Sequence, residues 1–139
     1  MAKHRILVVD DDKEMLQMIK ISLRDKYEIV TASDGFNGLQ KAQAAEPDMM
    51  ILDIRMPKVD GHQLIEAIHH SPTLRNVIII VITAYSNPED EFYSMQQNVA
   101  AYFAKPFEIN ELVKKVDEIL ADKPVGQKIL SYEDILHLE

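Results

Sequence analysis

Five short apolar segments recur along the chain, and a helical pattern follows each of them. Three of these segments, Ile6 to Val9, Met49 to Leu52 and Val77 to Ile82, are apolar at every position. Uninterrupted apolar runs of this length are typical of parallel strands that helices cover on both faces. Residues 28–32 and Ala100 to Ala104 predict two further strands.

Amphipathic stretches fill the intervals between these strands. Apolar residues at helical spacing after Asp12 predict the first helix, and Ile109 to Leu120 form the clearest amphipathic stripe of the chain. Three further helices are predicted at Gly35 to Ala45, Gly61 to His70 and Pro88 to Asn98. Five βα units with right-handed crossovers favour an α/β fold, a single five-stranded parallel sheet with helices on both faces.

The pattern changes after Ala121. Residues 122–128 are polar and contain proline and glycine, which predicts a linker. Ser131 to Leu138 predict a short capped amphipathic turn. We therefore expect one domain over residues 1–121, and a linker with a short tail over residues 122–139. Three roles stay open for the tail: docking on the domain, contact with a partner, or the start of a further module.

Composition excludes several classes of protein. The 139 residues include no cysteine, which excludes disulfides, thiolate zinc sites and cysteine nucleophiles. The longest aliphatic run, Val77 to Ile82, is far shorter than the roughly 18 residues of a membrane span. A formal charge of −8 argues against a surface that binds duplex nucleic acid. We expect a cytoplasmic protein with no membrane insertion and no direct nucleic-acid partner.

Polar residues follow four of the predicted strands where those strands end. Asp10 and Asp11 follow the first strand, Asp53 the third, Thr83 the fourth and Lys105 the fifth. The carboxyl ends of parallel strands lie at one edge of the sheet, which is where open α/β sheets bind their ligands. We therefore expect these five side chains to share one cleft.

This set of side chains favours phosphoryl transfer. Two carboxylates about 4 Å apart repel each other by about 4 kcal/mol at an effective dielectric near 20, so the cluster needs a cation or shared protons. Oxygen donors without histidine or cysteine predict Mg²⁺. Lys105 and Thr83 add a positive charge and a hydroxyl donor, and an aspartate can accept a phosphoryl group as an acyl phosphate.

Four segments resemble, in order and spacing, the receiver domain of bacterial two-component response regulators. They are Val8 to Asp11, Leu52 to Pro57 with Asp60-Gly61, Ile82 to Ala84, and Tyr102 to Phe107. The resemblance covers about residues 4–121. It implies a doubly wound, flavodoxin-like (βα)5 fold with strand order 2-1-3-4-5. It also implies a phosphorylation-dependent signalling switch that catalyses only its own phosphorylation and dephosphorylation.

The resemblance assigns roles to the residues that match the family pattern. Asp53 is the implied phosphoacceptor, which receives its phosphoryl group from a sensor histidine kinase, a phosphotransfer protein or a small phosphodonor. Asp11 and Asp53 are implied to hold Mg²⁺ through their side chains, Arg55 through its backbone carbonyl, and Asp10 mainly through water.

The same resemblance implies how the signal leaves the site. Lys105 pairs with the phosphoryl oxygens and is joined to Pro106 by a cis peptide bond. Thr83 moves toward the phosphoryl group, and Tyr102 swings inward. This movement reshapes the face formed by the fourth helix, fifth strand and fifth helix, where a downstream protein is expected to bind.

Alternatives stay open for single residues. Asp10 and Asp11 could instead cap the first helix, which is our interpretation of Asp12. Tyr102 could be a core aromatic with its hydroxyl at the surface. Pro57 and Gly61 are interpreted as loop geometry rather than chemistry.

Two other functional interpretations stay open. The chain could be the excised receiver of a larger DNA-binding or enzymatic response regulator. A haloacid dehalogenase-type Mg²⁺ phosphatase also uses an aspartate at a strand end. Those phosphatases carry a second aspartate two residues later, where this chain has Arg55.

The chain departs from the usual receiver pattern at several positions. Arg55 and Tyr85 each stand two residues after a site residue. The resemblance implies that these positions flank the path of the hydrolytic water, and because both side chains are large, we expect slow loss of phosphate. Lys58 replaces a glycine that is often found after the proline. Ala100 and Ala101 replace the usual acidic residues before Tyr102, which predicts an altered output face.

Overall fold

The computed structural model describes residues 2–84 and 87–125. The predictions for Tyr85 and for the tail from residue 126 onward lie outside the described residues. Strands and helices alternate through the described chain, except for three consecutive strands in its middle. In order they are β1 (Arg5–Val9), α1 (Lys13–Leu23), β2 (Glu28–Ala32), α2 (Gly35–Ala45), β3 (Met49–Asp53), β4 (Arg55–Met56), β5 (Val59–Asp60), α3 (Gly61–His70), β6 (Ile78–Thr83), α4 (Pro88–Gln96), β7 (Ala101–Ala104) and α5 (Ile109–Leu120).

Five of the strands form one parallel sheet in the order β2-β1-β3-β6-β7. Because β6 and β7 are its fourth and fifth strands, the predicted order 2-1-3-4-5 is confirmed. Val9 pairs with Leu52 and Asp53 pairs with Ile82. This register places the carboxyl ends of β1, β3 and β6 side by side.

The sheet separates two apolar cores. Leu7 and Val9 of β1 pack with residues of α2 and α3 on one face, whereas Ile6 and Val8 pack with residues of α1 and α5 on the other. All four β1 side chains are fully buried, which explains why the strand is apolar at consecutive positions. Burying an aliphatic side chain of this size contributes roughly 1.5–3 kcal/mol.

Aspartates begin three of the helices. Asp12 is the N-cap of α1, and its side chain accepts hydrogen bonds from the backbone N–H groups of Glu14 and Met15, which confirms its predicted role. Asp34 and Asp60 cap α2 and α3 in the same way. Such caps satisfy backbone donors that have no partner within the helix.

The loop predicted around Pro57 is instead a short antiparallel hairpin of β4 and β5. Two-residue strands are too short to show a period-2 pattern in the sequence. Lys58 lies in the turn with φ of 65°, a left-handed conformation. A Cβ on Gly61 would lie 2.3 Å from the Cα of Ile54, so close packing requires glycine where the hairpin meets α3.

Several predicted boundaries were wrong by one or two residues. β6 begins at Ile78 rather than Val77 and includes Thr83, and β7 begins at Ala101 rather than Ala100. Helix α4 ends at Gln96, before the predicted Asn98, because Asn98 has a left-handed φ of 63° that cannot continue a right-handed helix.

None of the helices within residues 2–84 and 87–125 combines the length and apolar character that crossing a membrane requires.

Candidate functional site

Three carboxylates meet at the carboxyl edge of the sheet. One oxygen from each of Asp10, Asp11 and Asp53 lies within 4.8 Å of the other two. Asp10 and Asp53 are buried, whereas Asp11 is exposed. The structure therefore brings together the three acidic residues that the sequence placed at this edge.

Backbone donors hold the two buried carboxylates in place. Oδ1 of Asp10 accepts a hydrogen bond from the N–H of Asp12 at 2.9 Å, and Oδ1 of Asp53 accepts one from the N–H of Arg55 at 2.8 Å. The donor in both cases lies two residues after the aspartate, where the chain turns away from the strand. One oxygen of each carboxylate thus binds the backbone, and the other can contact a cationic group.

The ammonium group of Lys105 joins these two carboxylates. Its Nζ donates to Oδ2 of Asp10 at 2.7 Å and to Oδ2 of Asp53 at 3.1 Å. The backbone N–H of Lys105 donates to the carbonyl of Thr83 at 2.7 Å, which ties the end of β7 to β6. The peptide bond from Lys105 to Pro106 is cis, as the resemblance implied.

Burial sets the electrostatics of this cluster. It raises the pKa of Asp10 to about 6, against the lowering effect of hydrogen bonds from Lys105 and from the N–H of Asp12. Burial by itself lowers the pKa of Lys105, but contacts with Asp10 and Asp53 outweigh it, so the net pKa of Lys105 is raised. A further cation would lower the free-energy cost of ionising Asp10 beside Asp53.

The donor set of the cluster fits Mg²⁺. The carboxylates of Asp10, Asp11 and Asp53 are hard oxygen ligands. Mg²⁺ typically takes one or two carboxylates and keeps several waters, and the exposed Asp11 leaves room for water on one side. These residues therefore can hold the metal that the sequence predicted.

Thr83 lies on β6, the strand next to β3, and Tyr102 lies on β7, the strand beyond it. Thr83 is fully buried at the end of β6 and pairs with Ala104 of β7. The ring of Tyr102 packs against the core shared with α2 and α3, and its buried hydroxyl has no hydrogen-bond partner among the described residues. The ring is therefore a core aromatic, as the alternative interpretation has it, but its hydroxyl is buried rather than at the surface.

The side chain of Arg55 lies beside the acidic cluster. It is exposed, and it lines a cleft of about 700 Å³ between Asp11 and the β4–β5 hairpin. Lys58 and His62 also line this cleft. Tyr85, the other bulky neighbour predicted from the sequence, lies outside the described residues.

Sequence reasoning missed a tie between α3 and α4 next to this cleft. Nδ1 of His62 lies 2.7 Å from Oε1 of Gln97, and Nε2 of Gln97 donates to the carbonyl of His62 at 2.9 Å. The ring of His62 also meets that of Tyr93 edge to face, with centroids 4.6 Å apart. Residues so far apart in the sequence give no local pattern that predicts their contact.

The family follows from comparison with known proteins. A family model described as the response regulator receiver domain matches residues 6–117. The chain belongs to this family. It is therefore a phosphorylation-dependent signalling domain of the two-component type, and the haloacid dehalogenase alternative is set aside.

Curated relatives of this receiver domain include bacterial transcriptional regulators. It is 32% identical over 117 residues to the alkaline phosphatase synthesis transcriptional regulatory protein PhoP of Bacillus subtilis, covering 84% of this chain and 48% of the relative. It is 35% identical to the transcriptional regulatory protein PrrA of Mycobacterium tuberculosis, covering 84% and 49%. The chain thus spans about half the length of these relatives.

A much longer relative and two solved structures share the same domain. The chain is 33% identical to the hybrid signal transduction histidine kinase D of Dictyostelium discoideum, covering 88% of this chain but 8% of that protein. The chemotaxis protein CheY4 of Vibrio cholerae superposes with a TM-score of 0.79 at 31% identity, covering 86% of this chain and 100% of that one. A CheY-like receiver domain protein from Methanospirillum hungatei gives a TM-score of 0.80 at 30% identity, covering 87% and 96%.

Proposed function

We propose that this receiver domain accepts a phosphoryl group on Asp53 and that phosphorylation changes the surface by which it binds a downstream protein. The observation that carries the proposal is the contact of Lys105 with both buried carboxylates, Asp10 and Asp53, beside the exposed Asp11. A lone aspartate at the end of a strand would not need a shared ammonium group or a third carboxylate.

Phosphoryl transfer needs an oriented acceptor. The hydrogen bond from the N–H of Arg55 fixes the Asp53 carboxylate, one oxygen of which attacks phosphorus. An O–P bond forms as the P–N bond of a donor phosphohistidine breaks, and the bonding electron pair stays on the imidazole. Because the acceptor is the domain's own side chain, the domain catalyses only its own phosphorylation and dephosphorylation.

Charge on the phosphoryl oxygens is balanced by two groups. The side chains of Asp11 and Asp53, the backbone carbonyl of Arg55, and Asp10 through water would hold Mg²⁺, which when bound would neutralise part of this charge. Lys105 lies close enough to Asp53 to pair with a phosphoryl oxygen. Its ammonium group then exchanges its contact with Asp10 for one with the phosphoryl oxygens.

Two residues on neighbouring strands carry the change outward. Thr83, at the end of β6, donates its hydroxyl to the phosphoryl group. Tyr102, on the adjacent β7, adjusts its ring as Thr83 moves. Since β7 packs against α4, and Tyr102 lines a groove with Glu111 of α5, the altered surface is the α4–β7–α5 face.

The partners follow from these roles. A sensor histidine kinase or a phosphotransfer protein supplies the phosphoryl group, and a downstream protein reads the α4–β7–α5 face without direct contact to nucleic acid. We assign residues 1–121 to the receiver domain, and residues 122–139 to a linker and tail.

A second form of the proposal places the receiver within a longer regulator. It is favoured by the transcriptional regulators PhoP and PrrA, of which the matched stretch covers 48% and 49%. The boundaries of the native gene distinguish a receiver that acts alone from one joined to an output domain.

Labelling tests the proposal. The protein is incubated with acetyl phosphate and Mg²⁺, and an acid-stable, base-labile adduct is sought by intact mass spectrometry. We expect one phosphoryl group on the wild-type protein and on Asp34→Asn, a matched control in which asparagine preserves an N-cap. Asp53→Asn should remain unlabelled, and equal labelling of that variant contradicts the proposal.

A further inference from the structure

The chain that follows α5 crosses the amino edge of the sheet, opposite the acidic cluster. The Nζ of Lys123 donates to the carbonyl of Asp48 at 2.9 Å. A ring nitrogen of His4 donates to the carbonyl of Lys123. Asp48 immediately precedes β3, and His4 immediately precedes β1. These bonds fix the direction in which the chain leaves the domain.

A cleft of about 270 Å³ lies one strand further along this edge. The carbonyl of Asp48 that binds Lys123 also accepts a hydrogen bond from the N–H of Ile78, and Ile78 lines the cleft. Neighbouring strands lie about 4.8 Å apart, so the cleft begins roughly one strand spacing from Lys123.

The lining of this amino-edge cleft combines apolar and cationic groups. The buried side chains of Val77 and Val99 form an apolar floor, and Arg75 is an exposed cation. Nε2 of His69 is buried and has no hydrogen-bond partner among the described residues. The cleft therefore suits a segment that is apolar at some positions and acidic at others.

The segment of this chain that begins at residue 126 has that character. Fully extended, residues 126–128 reach about 10 Å, enough to pass from Val125 beyond the neighbouring strand. They are followed by the apolar pair Ile129 and Leu130, and then by Glu133 and Asp134. The acidic pair is complementary in charge to the cationic side of the cleft.

We propose that residues 126–139 dock in the amino-edge cleft of their own domain, with the apolar pair against Val77 and Val99 and the acidic pair near Arg75 and His69. This inference is independent of the function proposed for Asp53. A segment docked here covers the amino edge and leaves the carboxyl edge, with its acidic cluster, open to a phosphodonor.

The absence of cysteine allows a direct test on the full chain. Ser131→Cys carries a nitroxide spin label, and paramagnetic broadening of backbone amides is measured by NMR against a diamagnetic label. We expect strong broadening at residues 75–79 and 98–100, and none near the exposed Phe36 on α2. Broadening that is uniform, or centred on the groove between β7 and α5 that Tyr102, Phe107 and Glu111 line, overturns the proposal.

Two controls sharpen the result. Spin-labelled protein at natural isotope abundance is mixed with ¹⁵N-enriched protein that carries no spin label. Broadening in that mixture would mean docking on a second copy, which contradicts the proposal. Arg75→Glu should weaken docking by roughly twofold to fivefold, as expected for loss of an exposed ion pair, whereas Lys20→Glu on α1 should not change it. Equal broadening in the two variants contradicts the role given to Arg75.

Discussion

Lys105 is the residue on which the chemistry of the site depends most. Its ammonium group holds two buried carboxylates from different strands within hydrogen-bond distance. An arrangement of this kind costs desolvation of all three charges, and ion pairs in such surroundings are weak evidence for a purely structural role. We therefore interpret these three charged groups as a site that accepts further negative charge, which explains why the cost of their desolvation is tolerated.

Arg55 is expected to set how long the phosphoryl group lasts. Its exposed side chain lines the cleft beside Asp11, through which we expect the hydrolytic water to reach Asp53. Arg55→Ala should therefore shorten the phosphoryl lifetime, by roughly tenfold if the barrier falls by about 1.4 kcal/mol. The decay of the phosphorylated protein, followed by intact mass spectrometry, measures this directly.

Lys58→Ala is the matched control for this prediction, because it removes a cation from the same cleft without opening the position two residues after Asp53. Its phosphoryl lifetime should stay close to that of the wild-type protein. A lifetime that Arg55→Ala does not shorten would mean that another group shields the phosphoryl bond.

Lys58 carries a backbone strain that can be tested separately. Its φ of 65° is unfavourable for a residue with a Cβ. Lys58→Gly should raise the free energy of unfolding in urea by roughly 0.5 kcal/mol, after allowing for the greater entropy of glycine in the unfolded chain. The same substitution at Lys20, inside α1, should lower it by about 1 kcal/mol. Equal losses at the two positions would show that the turn is not strained.

At the scale of elements, the sequence predicted those strands and helices that have a long hydrophobic pattern. The strands β1, β3 and β6 and the helices α1, α3 and α5 could be predicted because each buries several apolar side chains. The β4–β5 hairpin could not, because strands of two residues show no periodicity. The contact between His62 and Gln97 also had no local signal, since it depends on how α3 and α4 pack.

The features of the candidate site were likewise predictable only where a local sequence pattern specifies them. The strand ends predicted which side chains would converge, and the capping role of Asp12 followed from its place before a helix. The shared ammonium contact of Lys105 and the inward hydroxyl of Tyr102 depend on the relative positions of strands, which no segment specifies alone. The cleft beside Arg55 depends on the unpredicted hairpin.

The turn before β2 is tied to α5 by two hydrogen bonds to one carboxylate. The hydroxyl of Tyr27 donates to Oδ1 of Asp117, and Nζ of Lys26 donates to Oδ2 at 3.0 Å. Tyr27→Phe should lower the free energy of unfolding at pH 7 by about 1 kcal/mol. Tyr93→Phe, which alters an exposed tyrosine on α4, should have little effect and serves as its control.

The effect of Tyr27→Phe should also depend on pH. Burial raises the pKa of Asp117, but hydrogen bonds from Tyr27 and Lys26 outweigh it and leave the pKa below its ordinary value. A carboxyl group with a lowered folded-state pKa contributes stability above its unfolded pKa and loses it as the pH falls through the folded value. The difference between Tyr27→Phe and wild type should therefore shrink below about pH 4. A constant difference would contradict the assignment of this bond to an ionised Asp117.

At the scale of the whole molecule, the two edges of the sheet have different character. The carboxyl edge holds the buried acidic cluster, whereas the amino edge holds the hydrogen bonds that direct the chain after α5. A phosphorylation switch must convert charge at the first edge into a change of surface. Near-complete switching, from 1:99 to 99:1, needs about 5.5 kcal/mol of differential stabilisation. New contacts of the phosphoryl group with Lys105, Thr83 and Mg²⁺ are the proposed sources of that energy.

The most direct test of the central claim locates the modified residue in the unaltered protein. Wild-type protein is phosphorylated with acetyl phosphate and Mg²⁺, and then reduced with borohydride, which converts an aspartyl phosphate to homoserine. Peptide mass spectrometry identifies the residue that has changed. Conversion at Asp53 alone is the predicted result, and conversion at Asp10 or Asp11, or no conversion in a protein shown to be folded, would contradict the account.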